Sequence, residues 1–162
     1  MKGNVHMDCL LVIDMQEDYV GAKRNKKRYP YDTESLINNI NSRIDQYPAE
    51  AILYVTNKFF WELGKSPKEL VSGLKISSEH IFMKKHNSSF SSQQLLNYLH
   101  TKNMKSLELV GVDGNYCVGA TALDGVRKGF EITCPEACIG VGNKEKFLKM
   151  KAVLAKEGVK FI

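Results

Sequence analysis

A cysteine stands where an apolar run gives way to a helical pattern, in Gly111-Val112-Asp113-Gly114-Asn115-Tyr116-Cys117-Val118. Leu107 to Val112 reads as a strand leading in, and Val118 to Arg127 as an amphipathic helix leading out. A thiol at the first turn of a helix faces unpaired backbone N–H groups, which favour negative charge. Thiolate is the nucleophilic form of cysteine, so this placement predicts a lowered Cys117 pKa and covalent catalysis. The competing reading of the same segment is a small buried hydrophobe. Two groups elsewhere in the chain tip the balance toward chemistry. Asp14 closes the first apolar run and Lys84 the third, a carboxylate for proton transfer and an ammonium to balance a thiolate.

The runs Cys9–Asp14, Ala51–Thr56, His80–Lys84, Leu107–Val112, Phe130–Cys134 and Val159–Ile162 predict six strands. Helical patterns alternate with them. Thr33 is placed to cap a helix presenting Leu36, Ile37, Ile40 and Ile44. Ser91-x-x-Gln94 reads as a capping box ahead of Leu95, Leu96 and Leu99, and a helical turn is expected near Leu70. The cysteine helix runs to Lys128, with Gly129 to end it. The last helix starts near Asn143, presents Phe147, Met150 and Leu154, and stops at Gly158. Strand–helix alternation predicts an α/β fold with a mainly parallel sheet, built as one domain over residues 1–162. In such sheets ligands bind beyond the carboxyl ends of the strands, where Asp14, Lys84 and Cys117 all fall.

Composition sets outer bounds: 43% hydrophobic and 25% charged residues suit a globular chain, and no apolar run reaches the length of a membrane span. Residues Met1 to Asp8 lack a signal-peptide pattern, and four cysteines without one point to reduced thiols in a cytoplasm. Cys134-x-x-x-Cys138 has no second pair and is weak evidence for a metal. The net charge of +5 is concentrated in Lys23-Arg24-Asn25-Lys26-Lys27-Arg28. Tyr29 and Tyr31 follow this run but no nucleic-acid motif does, leaving a solvated loop or attraction of an anionic small molecule. Gly140-Val141-Gly142-Asn143 lacks a dinucleotide fingerprint.

With those residues in view, the chain resembles the isochorismatase-like cysteine hydrolases over nearly its whole length. Asp14-Met15-Gln16-Glu17-Asp18-Tyr19 is similar to the family's D-x-Q-x-D-F/Y motif. Lys84-Lys85-His86-Asn87-Ser88-Ser89-Phe90 is similar to K-x-x-x-S-x-F, and Gly111 to Ala122 to G-V-x-x-x-x-C-V-x-x-T-A. The resemblance implies a doubly wound, six-stranded, mainly parallel α/β sheet with helices on both faces, and a triad of Asp14, Lys84 and Cys117. Lys85 competes for the lysine role, but the motif register favours Lys84, and strand alternation sends the two neighbours to opposite faces. The resemblance also implies a non-proline cis peptide at Val112–Asp113, with the N–H groups of Asp113 and Cys117 forming an oxyanion hole. Asp113 departs from the small or hydroxyl residue often found there.

The implied reaction is hydrolysis of a carbon–nitrogen, amide-type bond of a small molecule through a Cys117 thioester. The rivals are a catalytically silent binding protein and a thiol redox sensor. Family nicotinamidases carry an Asp-x-His metal motif after the second strand. Here that stretch reads Thr56-Asn57-Lys58-Phe59-Phe60-Trp61, so neither metal nor other cofactor is expected. Gln16, Tyr19, Phe59, Trp61, Phe90 and Tyr116 are the expected substrate contacts, with packing as the alternative for Phe59, Phe60 and Trp61. The resemblance further implies a dimer or tetramer, with no nucleic-acid or membrane partner.

Overall fold

Cys9–Ile13 is apolar at every position and wholly buried, the pattern of a strand covered on both faces. In the computed structural model, which describes residues 7–58 and 69–162, this strand, β1, lies at the centre of a parallel sheet. The chain continues through a short helix α1 (Glu17–Val20), α2 (Thr33–Ile44), β2 (Ile52–Asn57) and β3 (Ile81–Lys84). It then forms α3 (Gln93–Thr101), β4 (Ser106–Val112), α4 (Cys117–Arg127), β5 (Glu131–Cys134), β6 (Ile139–Gly140), α5 (Lys144–Glu157) and β7 (Lys160–Phe161). The strand order is β3-β2-β1-β4-β5-β7, with β6 on the upper end of β4, and every strand pairing is parallel. Right-handed crossovers on such a sheet place α2 on one face and α3, α4 and α5 on the other. α4 and α5 pack together, while α2 lies against β4 and β6.

The order reverses between β1 and β4, and this switch point sets the site. Ile13 pairs with Val55 on one side and with Gly111 on the other, so Asp14 emerges between β2 and β4. At the neighbouring edge Asn57 pairs with Lys84. The ends of four strands therefore come level, although their residues lie far apart in sequence.

Local chemistry accounts for the element ends. The Asp32 carboxylate accepts the Ser35 N–H, Ser92 Oγ accepts the Leu95 N–H, and Asn143 Oδ1 accepts the Lys146 N–H. Two of these caps correct the sequence reading. Asp32 outcompetes Thr33, which becomes the first helical residue, and Ser92 caps α3 while Ser91 belongs to the tight turn before it. Gly129 and Gly158 follow α4 and α5 at φ of 91° and 111°, a conformation that glycine adopts freely.

Among the described residues the sheet has seven strands rather than six. The addition is β6, whose two residues follow a single 3-10 turn (Glu136–Cys138) and are too short to produce an alternation signal. Leu70, expected in a helical turn, instead forms an antiparallel bridge with Gln16. No helix among the described residues is long and apolar enough to cross a membrane.

Gly111 is the backbone position on which the switch point rests. Its φ is 124°, and a Cβ there would lie 2.0 Å from the Ile13 carbonyl oxygen. Gly111→Ala should therefore push β4 away from β1 and destabilise the chain by about 3 kcal/mol or more. Urea denaturation of the two proteins checks this.

Candidate active site

Asp14, Lys84 and Cys117 converge at the strand ends. Lys84 Nζ lies 3.2 Å from Asp14 Oδ2 and 3.3 Å from Cys117 Sγ, and donates to the His86 carbonyl at 3.1 Å. Lys84 is 0% exposed, Asp14 2% and Cys117 9%. The pleat of β3 explains the choice of lysine: Lys84 points inward and Lys85 outward, where it is exposed.

Each of the three is held by its own segment. Asp14 leaves β1 at φ 53°, a left-handed conformation that aspartate tolerates better than most residues, and its N–H donates to Val55 O at 2.9 Å. The loop after Lys84 is tied to α4. Ser88 Oγ donates to Asp124 Oδ2 at 2.7 Å, and the Ser89 N–H donates to Thr121 Oγ1 at 2.9 Å. The Thr121 hydroxyl in turn donates to the Cys117 carbonyl at 2.7 Å. Ser88, Ser89 and Thr121 of the two sequence motifs, together with Asp124, thus dock the lysine segment against the cysteine helix.

The thiol corrects the expectation of a low pKa. Burial raises Cys117 most, the Asp14 carboxylate adds to it by charge and hydrogen bonding, and Lys84 offsets only part, so the thiol is pushed up to about 12. Reasoning from the helix N-terminus and Lys84 omitted burial and the Asp14 charge. These surroundings favour the protonated sulfur, with the Asp14 side chain beside it.

The Val112–Asp113 peptide is cis. Among the described residues, neither the Asp113 nor the Cys117 N–H donates a hydrogen bond, whereas the N–H groups of Gly114, Asn115, Tyr116 and Val118 are all engaged. The Asp113 side chain organises this turn. Its Oδ1 accepts the Asn115 N–H at 2.7 Å, and its Oδ2 accepts Tyr31 Oη–H at 2.8 Å and the Gly142 N–H at 2.9 Å. Burial and the Asp113 charge raise the Tyr31 phenol, which keeps its proton to donate.

A cavity of about 440 Å³ opens above the thiol. Of the expected substrate contacts, Tyr19 and Tyr116 line it, and Tyr116 is 51% exposed. Gln16 does not line it: fully buried, its Oε1 accepts the Asn57 N–H at 2.9 Å and braces the ends of β1 and β2. Phe90 is also interior, stacked on Phe130 at 5.4 Å between ring centroids. Phe59, Phe60 and Trp61 lie outside the described residues. The lining that sequence reasoning missed is Arg28, Tyr29, Tyr31, Asn57 and Asn87. The basic run followed by two tyrosines was the available signal for the first three.

A metal of the nicotinamidase kind does not fit the donors present. The end of β2 offers Asn57, whose amide donates to Tyr19 Oη at 3.4 Å, and Lys58, an ammonium. Among the described residues no group of three or more His, Cys, Asp or Glu gathers to hold an ion.

The isochorismatase domain model matches residues 8–161. A secreted isochorismatase effector, Isc1, of Verticillium dahliae is 27% identical over 149 residues, covering 81% of this chain and 71% of its own. Among solved structures, PnC1 from L. infantum in complex with nicotinate superposes with a TM-score of 0.80 at 21% identity, covering 96% of this chain and 92% of that one. The nicotinamidase SaPncA from Staphylococcus aureus gives 0.75 at 20% identity, with 94% and 96% covered. These two likenesses establish the shared fold.

Tyr31→Phe keeps the ring but removes the hydroxyl that holds Asp113. Losing that charge-assisted bond should slow turnover about three- to tenfold while the melting temperature changes by only a few degrees. Steady-state kinetics beside thermal unfolding checks this.

Proposed function

Since this chain belongs to the isochorismatase domain family, we propose that it is a cysteine hydrolase cleaving the carbon–nitrogen bond of a small amide. One observation carries the reading: a buried ammonium within 3.3 Å of both a carboxylate and a thiol, at the floor of an open cavity.

The geometry supports a base-assisted attack. Asp14 takes the thiol proton as Cys117 Sγ attacks the substrate carbonyl. Lys84 balances the thiolate as it forms, so charge appears on sulfur only when it is needed. The carbonyl π electrons move to oxygen, and the uncommitted N–H groups of Asp113 and Cys117 are the donors able to receive that oxyanion. Collapse breaks the C–N bond, and the proton held by Asp14 leaves with the amine or ammonia. A thioester remains. Asp14 then accepts a proton from water as its oxygen attacks the thioester carbon. The carboxylic product departs and the proton returns to sulfur. Protein residues supply every proton transfer, and no metal enters the scheme.

The neutral resting thiol weighs against the redox-sensor reading, because oxidant sensitivity follows thiolate character. It also gives Asp14 a defined task.

A screen of small amides for ammonia release should find a substrate. On it Cys117→Ala should lose activity by about a thousandfold or more, and Asp14→Asn and Lys84→Met by similar factors without additivity between them. Hydroxylamine-sensitive acyl mass on the Cys117 peptide should be present in quenched wild-type reactions. Full activity in Cys117→Ala would contradict the reading.

A further inference from the structure

Among the described residues, three charged side chains line the cavity: Asp14, Asp113 and Arg28. Asp14 faces Lys84, and Asp113 takes donors from Tyr31, Gly142 and Asn115. The Arg28 guanidinium has no hydrogen-bond or ion-pair partner among the described residues. It lies over the Tyr29 ring, 5.6 Å from its centroid.

The backbone carrying Arg28 is built rather than loose. Asn25 Oδ1 accepts the N–H groups of Lys27 and Arg28, both at 3.1 Å, and Asn25 O accepts the Tyr29 N–H at 2.8 Å. Arg24 turns back and clamps the carbonyls of Gly21, Tyr29 and Tyr31 at 3.2, 2.9 and 2.9 Å. Within the basic run, then, Arg24 is committed to the backbone. Lys23, Lys26 and Lys27 are exposed and do not line the cavity, leaving Arg28 as the member that does.

Beside it the rings form a wall. Tyr29 meets Tyr19 edge-on at 5.2 Å and stacks with Tyr31 at 6.4 Å. A neutral amide would use the wall and the thiol but would leave the guanidinium without a counter-charge among the described residues.

We propose that Arg28 is a specificity-determining residue, and that the substrate is a planar amide whose second end carries a carboxylate. The amide half of this statement rests on the hydrolase reading above, and the anion half on the cavity alone. A guanidinium fork matches a carboxylate with two parallel N–H···O bonds. A single negative charge suits a cavity that also presents Asp14 and Asp113, which would repel a dianion. Arg28 is exposed at the mouth, so the preference should be modest and weakened by salt.

The test compares two alkylating reagents at Cys117, the anion iodoacetate and the neutral iodoacetamide, followed on the Cys117 peptide at fixed pH above 8. Arg28→Gln should slow iodoacetate about three- to fivefold, leaving iodoacetamide unchanged. Arg28→Lys, which keeps the charge but loses the fork and its stacking on Tyr29, should retain only part of the anion preference, and Lys27→Gln should leave the rate ratio as in wild type. A ratio insensitive to Arg28, an equal effect from Lys27→Gln, or no labelling of Cys117 by either reagent would overturn the proposal.

Ammonia release from benzamide and 4-carbamoylbenzoate separates the two readings. Turnover of benzamide together with an Arg28-insensitive ratio removes the anion subsite and leaves the hydrolase. An Arg28-dependent ratio with no amide turned over in the wider screen leaves the anion subsite and removes the hydrolase.

Discussion

The Lys84 ammonium is buried beyond the reach of water, and the site is arranged around that fact. An unpaired charge in such a place costs several kcal/mol. Asp14 Oδ2, the His86 carbonyl and Cys117 Sγ stand around Nζ and offset the cost between them. The arrangement works in both directions. The ammonium gives Asp14 a counter-charge in the interior, and the carboxylate in turn holds the thiol in its protonated form. On the hydrolase reading proposed above, a nucleophile kept neutral until a base removes its proton avoids the idle thiolate that invites oxidation. Removing any one of the three changes what the other two can be.

The scaffold makes that cluster possible because parallel strands deliver residues to one edge of the sheet. Asp14, Lys84 and Cys117 come from three separate strand ends, and the register of β1 with β2 and β4 and of β2 with β3 brings those ends level. The finer positioning belongs to side chains outside the triad. Ser88 and Thr121 hold the lysine loop to the cysteine helix, Gln16 braces two strand ends, and Asp113 ties the turn before Cys117 to Tyr31 and Gly142. An aspartate where the family pattern has a small or hydroxyl residue is therefore accommodated by three dedicated donors.

What was legible in the sequence followed from short-range rules. Apolar runs located the main strands, Gly129 and Gly158 marked two helix ends, and alternation along β3 set Lys84 and Lys85 on opposite faces while the motif register favoured Lys84. The misreadings came from effects that sequence spacing does not carry. The thiol ionisation depends on burial and on Asp14, distant in the chain, and neither is written in the local helix end. Phe90 and Gln16 sit in functional motifs yet serve packing and bracing, because a motif records that a residue type is needed without recording which way it points. Arg28 and Tyr31 lie in a loop without periodicity, and only the folded chain brings them over β4. The two-residue β6 is created by its neighbour rather than by its own composition.

The central claim is that Asp14 and burial keep the Cys117 thiol neutral, with Lys84 opposing them. Thiolate absorbance near 240 nm, followed against pH with the other cysteines as an internal baseline, measures this directly. Removing a negative neighbour favours the thiolate and removing a positive one disfavours it. The account therefore predicts that Cys117 titrates above the ordinary thiol value in the wild type, lower in Asp14→Asn and higher still in Lys84→Met. A wild-type thiolate already formed below pH 8, with Asp14→Asn titrating at the same pH or above, would contradict it.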